Sequence, residues 1–494
     1  MRFPKIRSMQ RVFNLFDYAP LNTPDIALGS KVHPFVFQCD NTFLSYNGVT
    51  VQGSPPPYDV FKSSEVIQDT NPQPYIQAGT KAIVNDVISP FASGILQDLG
   101  QDEKPGWDYM MRFDSYSTRA YMSIAYEPSE DLGIPPCPLP TDVVNWCETF
   151  ETSTGWYDRA LSETVLEAIA FGWQPGPDPP SVEWYCINDG VQEIAECMAK
   201  YIRNCDPNAI SLNSRVTSTS YRNTPGNKGV DVGIANNCAT QQFTHVVSTI
   251  PLPVLRTVDL DAAGLDPMQS NALRQLNYGP AIKVGLQFKE AWWFTKFQIV
   301  GGQSFTDRPI RTIVYPSFGD VENGMTTTLI ASYCWTEDAS RMGALIDDKD
   351  GDEQLKDLVL RDLADIHDLT VDYLREQLIE CKAWSWSHNP YTMGAYAFFG
   401  PGKFQNPYTS LNTPAANGFL HFAGEAISVR HAWVEGALDS AWRAVREMLY
   451  FSGFTDEQRQ RFFDNWGANE EWVKQDDDLL FKHLAHMKPE LFDH

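Results

Sequence analysis

Apolar residues recur near helical spacing through 76–99, at Ile83, Val84, Val87, Ile88, Phe91 and Ile95, which predicts a helix there. The same periodicity predicts helices over 107–113, 117–125, 141–150 and 162–171, with irregular proline segments such as 134–140 between them. Alternating or continuous apolar runs predict strands over 209–221, 229–234, 242–250, 281–289 and 327–333. Short strands within 35–51 turn at Asn47-Gly48, and Asn188-Asp189-Gly190 starts a helix in 184–203. The charged stretch 341–379 reads as amphipathic helix with a solvated face.

One stretch organises the rest. Phe419-Leu420-His421-Phe422-Ala423 reads as a short strand broken at Gly424, with Glu425 directly after it and a helix starting near Trp433. Gly436, Ala437, Ser440, Ala441 and Ala444 put a stripe of small residues along that helix, flat enough for a planar partner or a sheet to approach. An acid after a strand can accept from sugar-like hydroxyls, and a helix start stabilises negative charge. An ordinary strand-loop-helix crossover explains these features equally well.

Composition narrows the class. The 494 residues exceed one simple core and predict two or three interlocked lobes. A net charge of -25 argues against nucleic acid or an anionic membrane as partner. Nine cysteines without CxxC pairs rule out a complete intrachain disulfide framework, and the nine histidines form no metal-ligand spacing. No run approaches the roughly 18 apolar residues that span a bilayer. With neither sequon nor signal peptide at Met1, the compartment stays open between cytoplasm and secretion.

The residue order decides more. Phe422-Ala423-Gly424-Glu425-Ala426, followed by His431-Ala432-Trp433-Val434-Glu435-Gly436-Ala437, resembles the C-terminal flavin signature of the FAD-dependent amine oxidases, L-amino-acid oxidase type. The resemblance implies a mixed α/β fold and FAD as cofactor. It makes Glu425 the ribityl ligand and Ala432, Trp433, Val434, Glu435, Gly436 and Ala437 the flavin lining, with Ala432 and Trp433 also facing substrate. Met1-Arg2-Phe3-Pro4 resembles a segment that follows the family's N-terminal βαβ unit, which puts Met1 and Arg2 at the cofactor. No GxGxxG occurs in the sequence, so that unit is expected to be missing and this polypeptide to be a fragment that binds FAD poorly.

By the same resemblance Val216 packs on the adenine, Lys283 holds a water at flavin N5, and Trp386 forms an aromatic wall on a strand spanning 384–396. Without it, Val216 reads as core and Lys283 as an exposed strand residue. Arg2 and Tyr333 would hold a substrate carboxylate, Arg2 bidentately, while Phe171 and Glu167 could select the side chain. The implied domains are substrate-binding (1–75 and 276–404), helical (76–180), FAD-binding (181–275 and 405–450) and a helical tail (451–494). The implied reaction is oxidative deamination of an L-amino acid with oxygen, by a homodimer or higher homo-oligomer without metal. Monoamine or polyamine oxidase, amino-acid monooxygenase and an FAD-free binding protein are the alternatives.

Overall fold

The computed structural model describes residues 2–469 apart from 69–70, 102, 177–179, 318–325 and 347–350. Met1 and most of the predicted tail therefore lie outside the described residues. The N-terminal strand Phe3–Pro4 pairs with Trp184–Ile187, which also pairs with Val32–Pro34, and helix α1 (Gln10–Phe16) follows the first strand. Residues 3–34 thus join a small sheet of their own. Trp184–Ile187, assigned from sequence only to the 184–203 stretch that Asn188-Asp189-Gly190 turns into a helix, is the middle strand of that sheet.

The helical unit follows the apolar periodicity closely. Its longest member is α2 (Thr80–Gln97), separated from the short helix Gln73–Ala78 by Gly79 at φ 80. The face carrying Ile83, Val87, Ile88 and Phe91 is buried against Val143, Val144, Cys147 and Val165. Pro105–Met111 crosses α2 where Gly94 meets Gly106, and a Cβ on Gly106 would stand 2.1 Å from the Gly94 carbonyl carbon. The unit ends with Thr118–Ile124, Thr141–Glu151 and α3 (Leu161–Ala170).

A seven-stranded sheet supplies the second core. Its edge begins with three antiparallel strands in the spatial order β3 (Leu378–Ser385), β1 (Ala281–Phe288), β2 (Thr328–Trp335). It continues through Thr312–Val314, Gln303–Thr306, Phe43–Tyr46 and Val49–Gln52, the pair Gln303–Thr306 with Phe43–Tyr46 being parallel. Successive side chains of a strand point to opposite faces. Ile282, Val284, Leu286 and Phe288 therefore pack into the core with Trp292 and Trp293, while Lys283 takes the other face. The register sets Lys283 opposite Tyr333 on β2 and opposite Trp384 on β3. The predicted hairpin turn is present, with Asn47 at φ 51 and Gly48 at φ 76.

A third core forms where β4 (Leu420–Phe422) runs parallel to Val246–Ser248 beside α4 (Val434–Phe451). Several predicted elements differ. The strand expected over 209–221 begins only at Val216, after Asn213 at φ 56 has turned the chain. The one expected over 242–250 splits into Gln241–Phe243 and Val246–Ser248, which join different sheets. The stretch 341–379 contains Gly351–Ile366 and Val371–Gln377 and then passes into β3 at Leu378. The aromatic run 384–396 is not one strand: Trp386–His388 is a 3-10 turn, and Met393 (φ 50) and Gly394 (φ 148) bend it again. Beyond α4, Thr455 caps the helix Asp456–Trp466.

Candidate active site

The crossover from β4 to α4 turns at Gly424, where φ is 133. That turn buries the carboxylate of Glu425 behind the strand end. Its oxygens accept from Ala397 N at 3.0 Å and Ala432 N at 2.9 Å. Burial nevertheless holds its acid above the ordinary carboxylate range. Ala432 sits at φ 66, a left-handed backbone uncommon outside glycine, and the bond from its N–H to Glu425 holds it there. A cavity of about 330 Å³ opens beside this turn, lined by Thr249, Tyr278, Gly424, Glu425, Ala437 and Ala441 among others.

Three expected lining residues look elsewhere. The Glu435 carboxylate accepts from Arg11 N at 2.8 Å and Val12 N at 2.6 Å, so it caps α1 and not a cofactor. Gly436 faces its own approach loop, where a Cβ would meet Ser428 Oγ at 2.2 Å and the Arg430 carbonyl at 2.3 Å. Val434 packs among the N-terminal apolar residues beside Trp433. Helical spacing alone could not separate these faces, because Val434 and Glu435 are taken by a segment distant in sequence and Gly436 by the approach loop.

Arg2, Lys283, Tyr333, Trp386 and Phe171 come together in one half-buried cluster. The Arg2 guanidinium lies 4.9 Å from the Phe37 ring centroid and 5.2 Å from that of Phe171. Its Nε is buried and unbonded among the described residues. Burial lowers Arg2 from its ordinary value, countered by Tyr333 and Glu167. Lys283 Nζ stands 4.6 Å from the Tyr333 ring centroid and 5.5 Å from that of Trp386. Burial, and then the charge of Arg2, holds the Lys283 ammonium down to about 8. Val216 lies apart, at the start of its strand and beside the third core.

Helix α3 closes the cluster from the other side. Glu163 and Glu167 stand one turn apart on one face, and Phe171 follows one turn later at the helix end. Glu163 Oε1 accepts from His431 Nδ1 at 2.8 Å and from Phe399 N at 2.6 Å. Glu167 Oε2 accepts from Trp433 Nε1 at 3.3 Å, and the Phe171 ring meets Trp433 edge-on at 5.2 Å. Glu163 did not stand out in the sequence, and His431 was named only within the flavin signature, since a pair 268 positions apart leaves no local pattern. The only available signal was the four-residue spacing of two acids on an otherwise apolar helix.

The sequence profile of the flavin containing amine oxidoreductases matches residues 136–449. The chain belongs to this family. L-amino-acid oxidase 4 of Hebeloma cylindrosporum is 47% identical over 487 residues, spanning 95% of this chain and 74% of that protein. A cytotoxic L-amino-acid oxidase of Amanita phalloides is 56% identical over 142 residues, 28% of this chain and 99% of the other. Wild-type putrescine oxidase bound to putrescine is similar in fold, with a TM-score of 0.60 over 90% of this chain and 86% of that one at 16% identity.

The residues present suit the ring and ribityl portions of the family's flavin. Small side chains at Ala437 and Ala441 leave room for a planar group, the start of α4 favours a negative ring, and Glu425 lines the same cavity. No GxGxxG turn stands in the sequence to offer backbone donors to a pyrophosphate.

Proposed function

We propose that the chain catalyses oxidative deamination of L-amino acids, giving a 2-oxo acid, ammonia and hydrogen peroxide. One observation carries this reading: the Nε of Arg2 is buried and unbonded in the site, and its guanidinium lies within the field of the Tyr333 phenol. A largely desolvated guanidinium with an unbonded Nε favours a ligand that brings a carboxylate, and an amino acid has one where a simple amine has none. Arg2 and Tyr333 hold that carboxylate, and the Ala432–Trp433 backbone takes the amine. Trp386 and Trp433 wall the site against water.

Bound FAD supplies the two-electron acceptor for the Cα–H hydride, and oxygen takes the electrons on to peroxide. Lys283 positions a water where oxygen reacts, Glu425 holds the ribityl chain, and Val216 packs on the adenine. In this reading the seven-stranded sheet serves the substrate, 76–180 forms a helical lid, and 181–275 with 405–450 holds FAD. The working form is a homodimer or higher homo-oligomer.

The test is peroxide release on L-amino acids, their D-enantiomers and putrescine. L-amino acids alone should react, and Arg2→Met should lower kcat/KM on the order of 10²-fold, the cost of losing one charged pair in a dry site. Turnover of putrescine without L-amino acids, or an active Arg2→Met enzyme, rejects the reading.

A further inference from the structure

Two carboxylates on one face of α3 have different duties. Glu163 accepts two short bonds, both on Oε1, from His431 Nδ1 and Phe399 N. Glu167 accepts less. It accepts one long bond from Trp433 Nε1 at 3.3 Å, and its second oxygen has no hydrogen-bond partner among the described residues. A half-buried carboxylate with spare acceptor capacity can take a donor that a ligand brings. Glu167 also lies within the field of Arg2 and Tyr333, the two groups that await a carboxylate.

We propose that Glu167 reads the end of the substrate side chain and selects L-amino acids carrying a cation or hydrogen-bond donor there, L-lysine and L-arginine above all. This rests on the L-amino-acid oxidase reading. The argument is one of direction. Arg2 and Tyr333 take the α-carboxylate, and the reacting Cα–H must face the flavin cavity beside Glu425 and Ala437. The remaining substituent therefore points away from that cavity, toward the helical unit, and Glu167 is the acceptor that α3 offers. Phe171 and Trp433, in edge-on contact at 5.2 Å, give the methylene stem an aromatic wall. Burial pushes the Glu167 acid up to about 7, so an empty site holds it partly neutral. An approaching ammonium restores the carboxylate, and the preference for L-lysine strengthens as pH rises through about 7.

The measurement is the ratio of kcat/KM for L-lysine to that for L-leucine, in the flavin-loaded wild type, Glu167→Gln and Glu167→Asp. Glu167→Gln keeps the shape and the Trp433 bond but cannot become an anion. The ratio should fall at least tenfold in Glu167→Gln and recover in part in Glu167→Asp. Calorimetric titration of each protein with L-lysine, which needs no turnover, should lose affinity in the same order. Equal losses for both substrates would assign Glu167 to the amine or to folding and overturn the proposal, as would an unchanged ratio. If no amino acid is oxidised by the wild type, the parent reading fails, and the titration alone decides whether Glu167 holds a cationic side chain.

Discussion

Lys283 and Tyr333 face each other across two antiparallel strands, the ammonium 4.6 Å from the centroid of the phenol ring. The pairing places a cation against an aromatic face inside the site, with Trp386 on its other side. Because Lys283 is held down to about 8, it is charged below that pH and neutral above it.

That titration has a kinetic signature. Oxidation of the reduced enzyme by oxygen should slow as pH rises through about 8, where the cation is lost. Lys283→Met should remove this dependence and slow the oxygen reaction on the order of 10–10²-fold, a range expected for one positioned charge. Stopped-flow traces of the two half-reactions check it. Equal slowing of anaerobic reduction would assign Lys283 to substrate binding instead.

Glu425→Ala should cost both flavin and stability. The change strips the acceptor from the Ala397 and Ala432 amides at this turn. Each orphaned group costs about 1–3 kcal/mol. The melting temperature and the flavin-to-protein absorbance ratio after gel filtration should therefore both fall. Full retention of flavin would remove Glu425 from the cofactor site.

His367 predicts an acid limb of stability. It is buried neutral, Nδ1 donating to the Leu363 carbonyl at 2.8 Å and Nε2 accepting from the Tyr315 hydroxyl at 2.6 Å. Burial lowers it from 6.5 to about 4. The unfolded chain gains a proton near 6.5 and the folded one only near 4. Stability is thus fully present above 6.5 and lost as pH falls toward 4, by roughly 2–3 kcal/mol for this one residue. In denaturant titrations at pH 7, 5.5 and 4 the unfolding free energy should fall less in His367→Gln than in the wild type.

Gly106→Ala should destabilise the helical unit by about 1–3 kcal/mol, the usual cost of overpacking. The added methyl has only Gly94 backbone to displace. Gly400→Ala is the matched comparison, since its Cβ would meet nothing within 4 Å. Calorimetric melting of the pair decides it, and equal transitions would mean that α2 and its neighbour can separate freely.

The helices of 80–170 were legible because their burial follows a single apolar stripe, and the period of 3.6 records it. The Asn47-Gly48 hairpin was legible because two left-handed residues in succession demand that chemistry. The turn after β4 was legible from Gly424 and Glu425. What stayed hidden is long-range. Glu435 reads as one more polar position at a helix start until α1 arrives 424 residues earlier in the chain to claim it. The pairing of Glu163 with His431 is likewise invisible until the fold joins them. The break in 384–396 escaped notice because aromatic density indicates burial, while strand or turn is set by Met393 and Gly394.

The contact of Glu435 with α1 has a thermodynamic consequence. Arg11 extends it, its Nε bonding Asp439 at 2.9 Å one helical turn along α4. The segment that carries Arg2 is thereby tied to the helix whose start borders the flavin cavity. Anything that steadies α4 also steadies the group awaiting the carboxylate, and the reverse must hold to the same extent. An amino acid should therefore raise the affinity of this protein for its flavin, even with hydride transfer blocked, by the factor through which the flavin raises affinity for the amino acid.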